Sequence, residues 1–186
     1  MKADVQKDIH SGDNHEDLVS HLYYLEGLEN SDLAKKLAMS CNVEYAWPCH
    51  GKSGAYYNAA MYSGTATVLM ERSGMSVWND EFVGQDKEDI RNFLKTAGIL
   101  EGEAKVYDLP LITGGSLKAP ATGVWRPALE IRDQFRKGDK LGEVQDYFGE
   151  TIATVTAPED GFMLYQVKHL QVIKGHEMLT YGVLLG

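Results

Sequence analysis

The chain is poor in cysteine. Among its 186 residues only Cys41 and Cys49 are of this type. They form neither a C-x-x-C pair nor the even set of a disulfide framework, so a disulfide-stapled scaffold is excluded and free thiols in a reducing cytoplasm are expected. Long apolar runs are missing too. No stretch approaches the roughly 20 residues that cross a bilayer, and Met1 to Val5 carries no signal-peptide core, so neither a membrane span nor secretion is expected. Basic clusters are also absent. With 18 Lys and Arg against 27 Asp and Glu, a net charge of −9 and a pI of about 5.1, the chain repels phosphate backbones and no nucleic-acid partner is expected. No P-loop, G-x-G-x-x-G or G-x-S-x-G pattern occurs. What is present is ordinary globular material. Hydrophobic residues make up 44% and charged residues 24%, enough apolar surface for a core and one medium domain, or a partial domain plus a small one.

The order of elements predicts an α/β region followed by a β region. Ala3 to Ile9 reads as a short strand ending at His10, and Ser11-Gly12-Asp13-Asn14 has turn chemistry. Ser31 to Cys41 is helical in pattern, with Ser31 as cap and Leu33, Leu37, Ala34, Ala38 and Cys41 as its apolar stripe. Val43 to Trp47 resembles a strand, and Ala55 to Ser63 a helix that stops near Gly64. Thr65 to Met70 is β-branched and apolar, the composition of a buried strand, and it delivers Glu71 at its end. Asp86 to Ala97 has Ile90, Phe93, Leu94 and Ala97 at helical spacing, with Gly98 beyond. After about Glu103 only short β-like runs broken by Gly and Pro remain. The expected division is therefore residues 1–102 as α/β, 103–117 as linker and 118–186 as a small β domain.

That last part is duplicated. Ala119-Pro120-Ala121-Thr122-Gly123 recurs as Ala157-Pro158-Glu159-Asp160-Gly161, and Lys137-Gly138 recurs as Lys174-Gly175, at offsets of 38 and 37 residues. Two such halves predict a compact β sandwich with pseudo-twofold symmetry. They resemble the half-motifs of biotinyl and lipoyl carrier domains (barrel-sandwich hybrids). Those domains modify a lysine on the hairpin between the halves. Here Gln145 to Thr151 contains none, which argues against a swinging-arm carrier.

Two positions carry candidate chemistry. His10 stands at a strand end beside Asp8 and Asp13. A neutral imidazole there binds zinc and nearby carboxylates orient its ring, although a lone loop histidine also serves purely structural ends. Glu71 ends a buried strand, where a carboxylate needs either a cleft or a partner. It reads as a general base and acid in a hydrolase, or as half of an ion pair with Arg72 or Arg91. His15, Glu16 and His21 lie close by in sequence. Cys49-His50 invites a nucleophile and base, but adjacent residues seldom face each other and no third group orients them.

With these residues in view, the chain resembles the succinylglutamate desuccinylase/aspartoacylase family, relatives of the zinc carboxypeptidases. Asp8-Ile9-His10-Ser11-Gly12-Asp13 is similar to the family's D-[LI]-H-[GS]-G motif. The order continues through Ser31 to Ala38, Ser53-Gly54, the strand ending at Glu71 with Gly74 after it, Asp89 to Leu94, Ala97 to Leu100, and the C-terminal β region with Lys137-Gly138 and Ala157 to Gly161. The resemblance covers nearly the whole chain. It implies a truncated, carboxypeptidase-like mixed sheet and one zinc ion, with His10 as a metal ligand and Glu71 as the catalytic residue. The implied activity is deacylation of N-acyl amino acids or related small amides and esters. A non-catalytic relative that binds a small ligand or protein partner is the alternative. Two departures stand out. The family's H-x-x-E zinc motif precedes D-[LI]-H, yet only nine residues precede His10 and the motif occurs nowhere else, so an N-terminal part is expected to be missing. Glu71-Arg72-Ser73-Gly74 is also one residue longer than the usual E-x-G. A curtailed sheet leaves an open edge, which points to a homo-oligomer or a complementing N-terminal segment.

Overall fold

A computed structural model describes residues 3–186. Its elements, in chain order, are β1 (Val5–His10), β2 (Glu16–Leu18), β3 (His21–Leu25), α1 (Ser31–Ala38), β4 (Tyr45–Cys49), α2 (Tyr56–Tyr62), β5 (Ala66–Glu71) and α3 (Asp80–Thr96). These are followed by β6 (Ile112–Lys118), β7 (Gly123–Pro127), β8 (Gln134–Phe135), β9 (Lys140–Gln145), β10 (Thr151–Thr156), β11 (Gly161–Val167), β12 (Gln171–Val172) and β13 (Glu177–Leu184). The result is a mixed α/β structure.

The apolar run Ala66 to Met70 is buried on both faces, as a central strand covered by helices must be. Around it forms a mixed sheet in the order β1-β5-β3-β4. β1 runs parallel to β5, β3 runs antiparallel to β5, and β4 runs parallel to β3. α1 packs on β3 and β5, α2 on β5 and β1, and α3 on α1. The stripe of α1 is Ala34, Leu37 and Ala38, with Cys41 just beyond, whereas Leu33 lies outside it at 37% exposure. They join Leu22, Tyr24, Leu25, Val68, Met70 and Phe93 in one core.

Local signals moved several boundaries. Asn30 rather than Ser31 occupies the cap position of α1, and the Ser31 hydroxyl instead accepts the Leu28 amide at 2.9 Å. The α1 helix ends at Ala38, three residues short of Cys41, and β4 lies two residues later than Val43 to Trp47. α3 begins six residues before Asp86, capped by the Asn79 side chain, which accepts the Phe82 amide at 2.8 Å. The expected linker is structured at both ends. Tyr107 donates its amide to the Met39 carbonyl at 2.8 Å, Leu109 is buried in the first core, and β6 starts at Ile112.

The C-terminal strands form two sheets, β10-β9-β7-β12 and β2-β11-β13-β6, with β8 also paired to β11. Trp125, Leu141, Val144, Met163, Met178 and Leu179 fill the space between them. The duplicated motifs pair across the halves. The Gly138 amide donates to the Ala157 carbonyl and the Gly175 amide to the Ala119 carbonyl, both at 2.9 Å. Both glycines have φ near +90°, at 89° and 87°, which only glycine adopts cheaply. The strand pairs repeat the exchange, with β8 on β11 and β12 on β7.

One strand crosses between the two regions. β2, from the N-terminal segment, pairs antiparallel with β11, setting Leu18 opposite Tyr165 and Glu16 opposite Val167. Val19, Ile112, Phe162 and Leu164 form a small core beneath the join, where the Tyr45 and Phe162 rings meet at 4.7 Å. Among the described residues, no helix is long and apolar enough to cross a membrane.

Candidate active site

Strand register brings the two singled-out residues together. In the parallel β1/β5 pair His10 lies directly opposite Glu71, at the end of both strands. Side chains two apart on a strand share a face, so Asp8 joins them. His10 Nδ1 is 3.4 Å from Glu71 Oε1 and His10 Nε2 is 3.3 Å from Asp8 Oδ1. Burial pushes the Glu71 carboxyl up to about 6. His10 opposes that shift, and the Glu16 and Asp8 carboxylates add to it.

Arg72, the next residue, points to the other side, as strand alternation requires. It is buried at 4% exposure and pairs with Asp86 and with Asp89, whose Oδ2 is 2.7 Å from its Nη2. Glu71 therefore pairs with neither Arg72 nor Arg91, whose partner is Glu88.

The extra residue after Glu71 builds a clamp. Ser73, Met75 and Ser76 all sit in the left-handed region, with φ of 68°, 58° and 55°, a concentration of strain of the kind found at functional sites. The clamp is held by hydrogen bonds from Gly12 N to Ser73 O at 3.0 Å and from Met75 N to Glu16 O at 2.9 Å. Gly74 fits because it has no side chain: a Cβ there would stand 2.1 Å from Glu16 O.

Glu71 and His10 open into a cavity of about 310 Å³. Its far wall comes from residues that the sequence reading passed over. Tyr165 on β11 donates its hydroxyl to Glu16 Oε1 at 2.6 Å, while Glu177 and Thr180 on β13 complete that side. The floor is His21 and Tyr23 on β3. Because a carbonyl only accepts, the 2.7 Å contact to Val19 O places a proton on His21 Nδ1. Burial holds the His21 imidazole down at about 4, so at neutral pH Nε2 is bare and accepts the Tyr23 hydroxyl at 2.9 Å.

This fixes a sign for acid sensitivity. The unfolded chain protonates His21 near its ordinary value of 6.5 and the folded chain only near 4. Stability is therefore expected to fall as pH drops through that window, by on the order of 3 kcal/mol once below it. Urea unfolding at steps between pH 7 and pH 4 should give a shallower slope for His21→Gln than for the parent. Parallel curves would mean that His21 is not the group responsible.

The remaining histidines and the cysteine pair stand apart. His15 packs its ring on His169 at 4.4 Å beside a separate cavity that His176 also lines. His50 lies 3.9 Å from Glu26, and Cys49 directs its thiol toward the Trp47 carbonyl at 3.6 Å. Burial raises that thiol to about 11, the reverse of what a nucleophile needs.

Zinc does not fit the residues of this chain alone. A catalytic zinc normally takes three protein ligands. Among the described residues no group of three His, Cys, Asp or Glu side chains is placed to hold a metal ion. Both His10 nitrogens face carboxylates within the chain.

No family model and no curated protein sequence matches the chain. Solved structures do match. The ectoine utilization protein EutE (DoeB) from Ruegeria pomeroyi, in a product-bound structure, superposes with a TM-score of 0.86 at 22% identity, over 97% of this chain and 58% of its own. A succinylglutamate desuccinylase from a Silicibacter strain gives 0.84 at 22% identity, over 98% and 59%. A succinylglutamate desuccinylase/aspartoacylase from Rhodobacter sphaeroides gives 0.83 at 18%, over 99% and 59%. The chain thus spans under two thirds of the length of the structures it matches. Across nearly all of its own length, it has the fold of succinylglutamate desuccinylase/aspartoacylase proteins.

Proposed function

We propose that the chain carries the catalytic carboxylate and one metal ligand of a zinc-dependent deacylase acting on N-acyl amino acids or related small amides. The observation that carries this reading is the His10–Glu71 pair, set side by side by strand register at the mouth of a cavity of about 310 Å³. In it, Glu71 takes a proton from the attacking water and returns it to the departing nitrogen, the work expected of a half-buried carboxyl beside a cleft. His10 would be one of the residues holding zinc, together with ligands from polypeptide outside residues 3–186. The shared fold with a succinylglutamate desuccinylase supports the reaction class.

The alternative, a ligand-binding relative without catalysis, is favoured by the lack of a three-ligand group among the described residues. Zinc content separates the two. With the polypeptide that supplies the other ligands present, about one zinc per molecule, lost in His10→Ala, is expected for the first. No zinc in that completed protein after incubation with excess metal would establish the second. Zinc retained by His10→Ala would remove His10 from the metal site.

A further inference from the structure

Beside the wall that carries Tyr165 lies a smaller cavity of about 180 Å³, which shares Glu16, Tyr165 and Glu177 with the first. His15, His169 and His176 line it. His15 stands just before β2 and His169 shortly after β11. Between them the Lys168 amide donates to the His15 carbonyl at 2.7 Å, adding one rung to the β2/β11 ladder. That rung holds the two rings edge to face, with centroids 4.4 Å apart. Asn14 Oδ1, which only accepts, lies 2.6 Å from His15 Nδ1 and places a proton there, so Nε2 is the nitrogen left to take up a second one.

Little in the surroundings is free to cancel two ring charges. Glu16 on β2 already accepts the Tyr165 hydroxyl on Oε1 and the Asp13 amide on Oε2. Asp17, also on β2, faces Lys168, whose ammonium pairs with Glu130 as well. From β13 and the turn before it come Glu177, which accepts the Ser116 hydroxyl at 2.9 Å, and His176. β12 contributes the uncharged Gln171 and Val172. Burial and the neighbouring His15 hold the His169 imidazole below its ordinary value, and Glu16 opposes them. A histidine held low binds fewer protons folded than unfolded. What its packing contributes is therefore complete above its ordinary value of 6.5 and is lost as pH falls below it.

We propose that His15 and His169 form an acid-sensitive latch: charging both rings opens the β2/β11 join, separates Glu16 from Tyr165 and loosens the shared wall of the larger cavity. The latch needs only that shared wall, and not the deacylase reading.

Amide hydrogen exchange on the intact chain, corrected for the intrinsic effect of pH, tests it between about pH 7.5 and pH 5.5. The Lys168 amide and the Val19 amide, which donates to Leu164 O at 2.9 Å, span the join. Their protection is expected to fall roughly tenfold with acid, the scale of repulsion between two partly exposed charges at this spacing. Amides of β7 and β9, in the other sheet, should keep theirs. His15→Gln and His169→Gln should each hold the Lys168 and Val19 protection constant across the range. His15→Gln should also raise the pH at which the His169 ring protons titrate by NMR. No fall in the parent, an equal fall in parent and variants, or an unmoved His169 titration would overturn the latch. So would variants that lose protection already at neutral pH, since the rings would then be packing alone. Loss at β7 and β9 in step with the join would overturn it too, as the mark of global unfolding.

Discussion

Replacing Arg72 by methionine is expected to destabilise the chain by about 3–5 kcal/mol, a large share of the roughly 5–15 kcal/mol that a folded protein possesses. Methionine matches the length of the arginine stem, so little volume is lost. What is lost is charge balance. Asp89, at 2% exposure, would keep its carboxylate with only the Asn42 amide at 2.9 Å for company. The Asn42 carbonyl would lose the 2.7 Å donor it now has in Arg72 Nη2. Asp86 matters less, because its side chain is 30% exposed and water can replace the guanidinium. The measurement is the urea midpoint at constant slope. Adding Asp89→Leu to Arg72→Met should recover part of the loss, since removing both partners of a buried pair costs less than removing one. A loss below 1 kcal/mol in Arg72→Met would show that water or another group reaches Asp89.

The second large effect concerns turnover. If the chain deacylates as proposed, Glu71→Gln should lower kcat by roughly 10²–10⁴-fold. Glutamine keeps the size and one acceptor of the carboxylate, but it neither takes up nor returns a proton at the relevant pH. KM should change little, because the amide keeps the size of the carboxyl and its place beside His10. Thermal or urea unfolding should match the parent, which separates this effect from a folding defect. A kcat within tenfold of the parent would take the proton transfer away from Glu71 and leave it the lesser task of orienting His10.

The strands that carry His10 and Glu71 were legible in the residue pattern. The buried run before Glu71 and the strand before His10 were readable because β-branched and apolar residues leave few other structures open to a short segment. Their adjacency required knowing that β1 and β5 are parallel neighbours, which no local pattern encodes. The far wall was not legible at all. Glu16 and Tyr165 are 149 residues apart, and nothing about either residue marks it before β2 joins β11. Glu16 and His21 were noticed only as neighbours of His10, although the structure uses one as an acceptor for Tyr165 and the other to immobilise Tyr23. The start of α3 could have been found. Asn79 is a good cap, but Gly84 five residues later breaks the helical pattern and made Asp86 look like the beginning. The duplication was visible as a repeated spelling. Its exchange of hydrogen bonds between halves was not.

That exchange has a consequence for assembly. A single half, cut out and expressed alone, would hold a Lys-Gly turn whose amide has no acceptor and an alanine carbonyl with no donor, each complementary to the other half's copy. The arrangement that satisfies both is two copies related by a twofold axis. The region thus has the pairing of a closed homodimer whose two copies are joined in tandem. Its assembly does not depend on concentration, because a short linker holds the second half at an effective concentration in the millimolar range. The two halves differ in use, and the second lends Tyr165, Glu177 and Thr180 to the cavity.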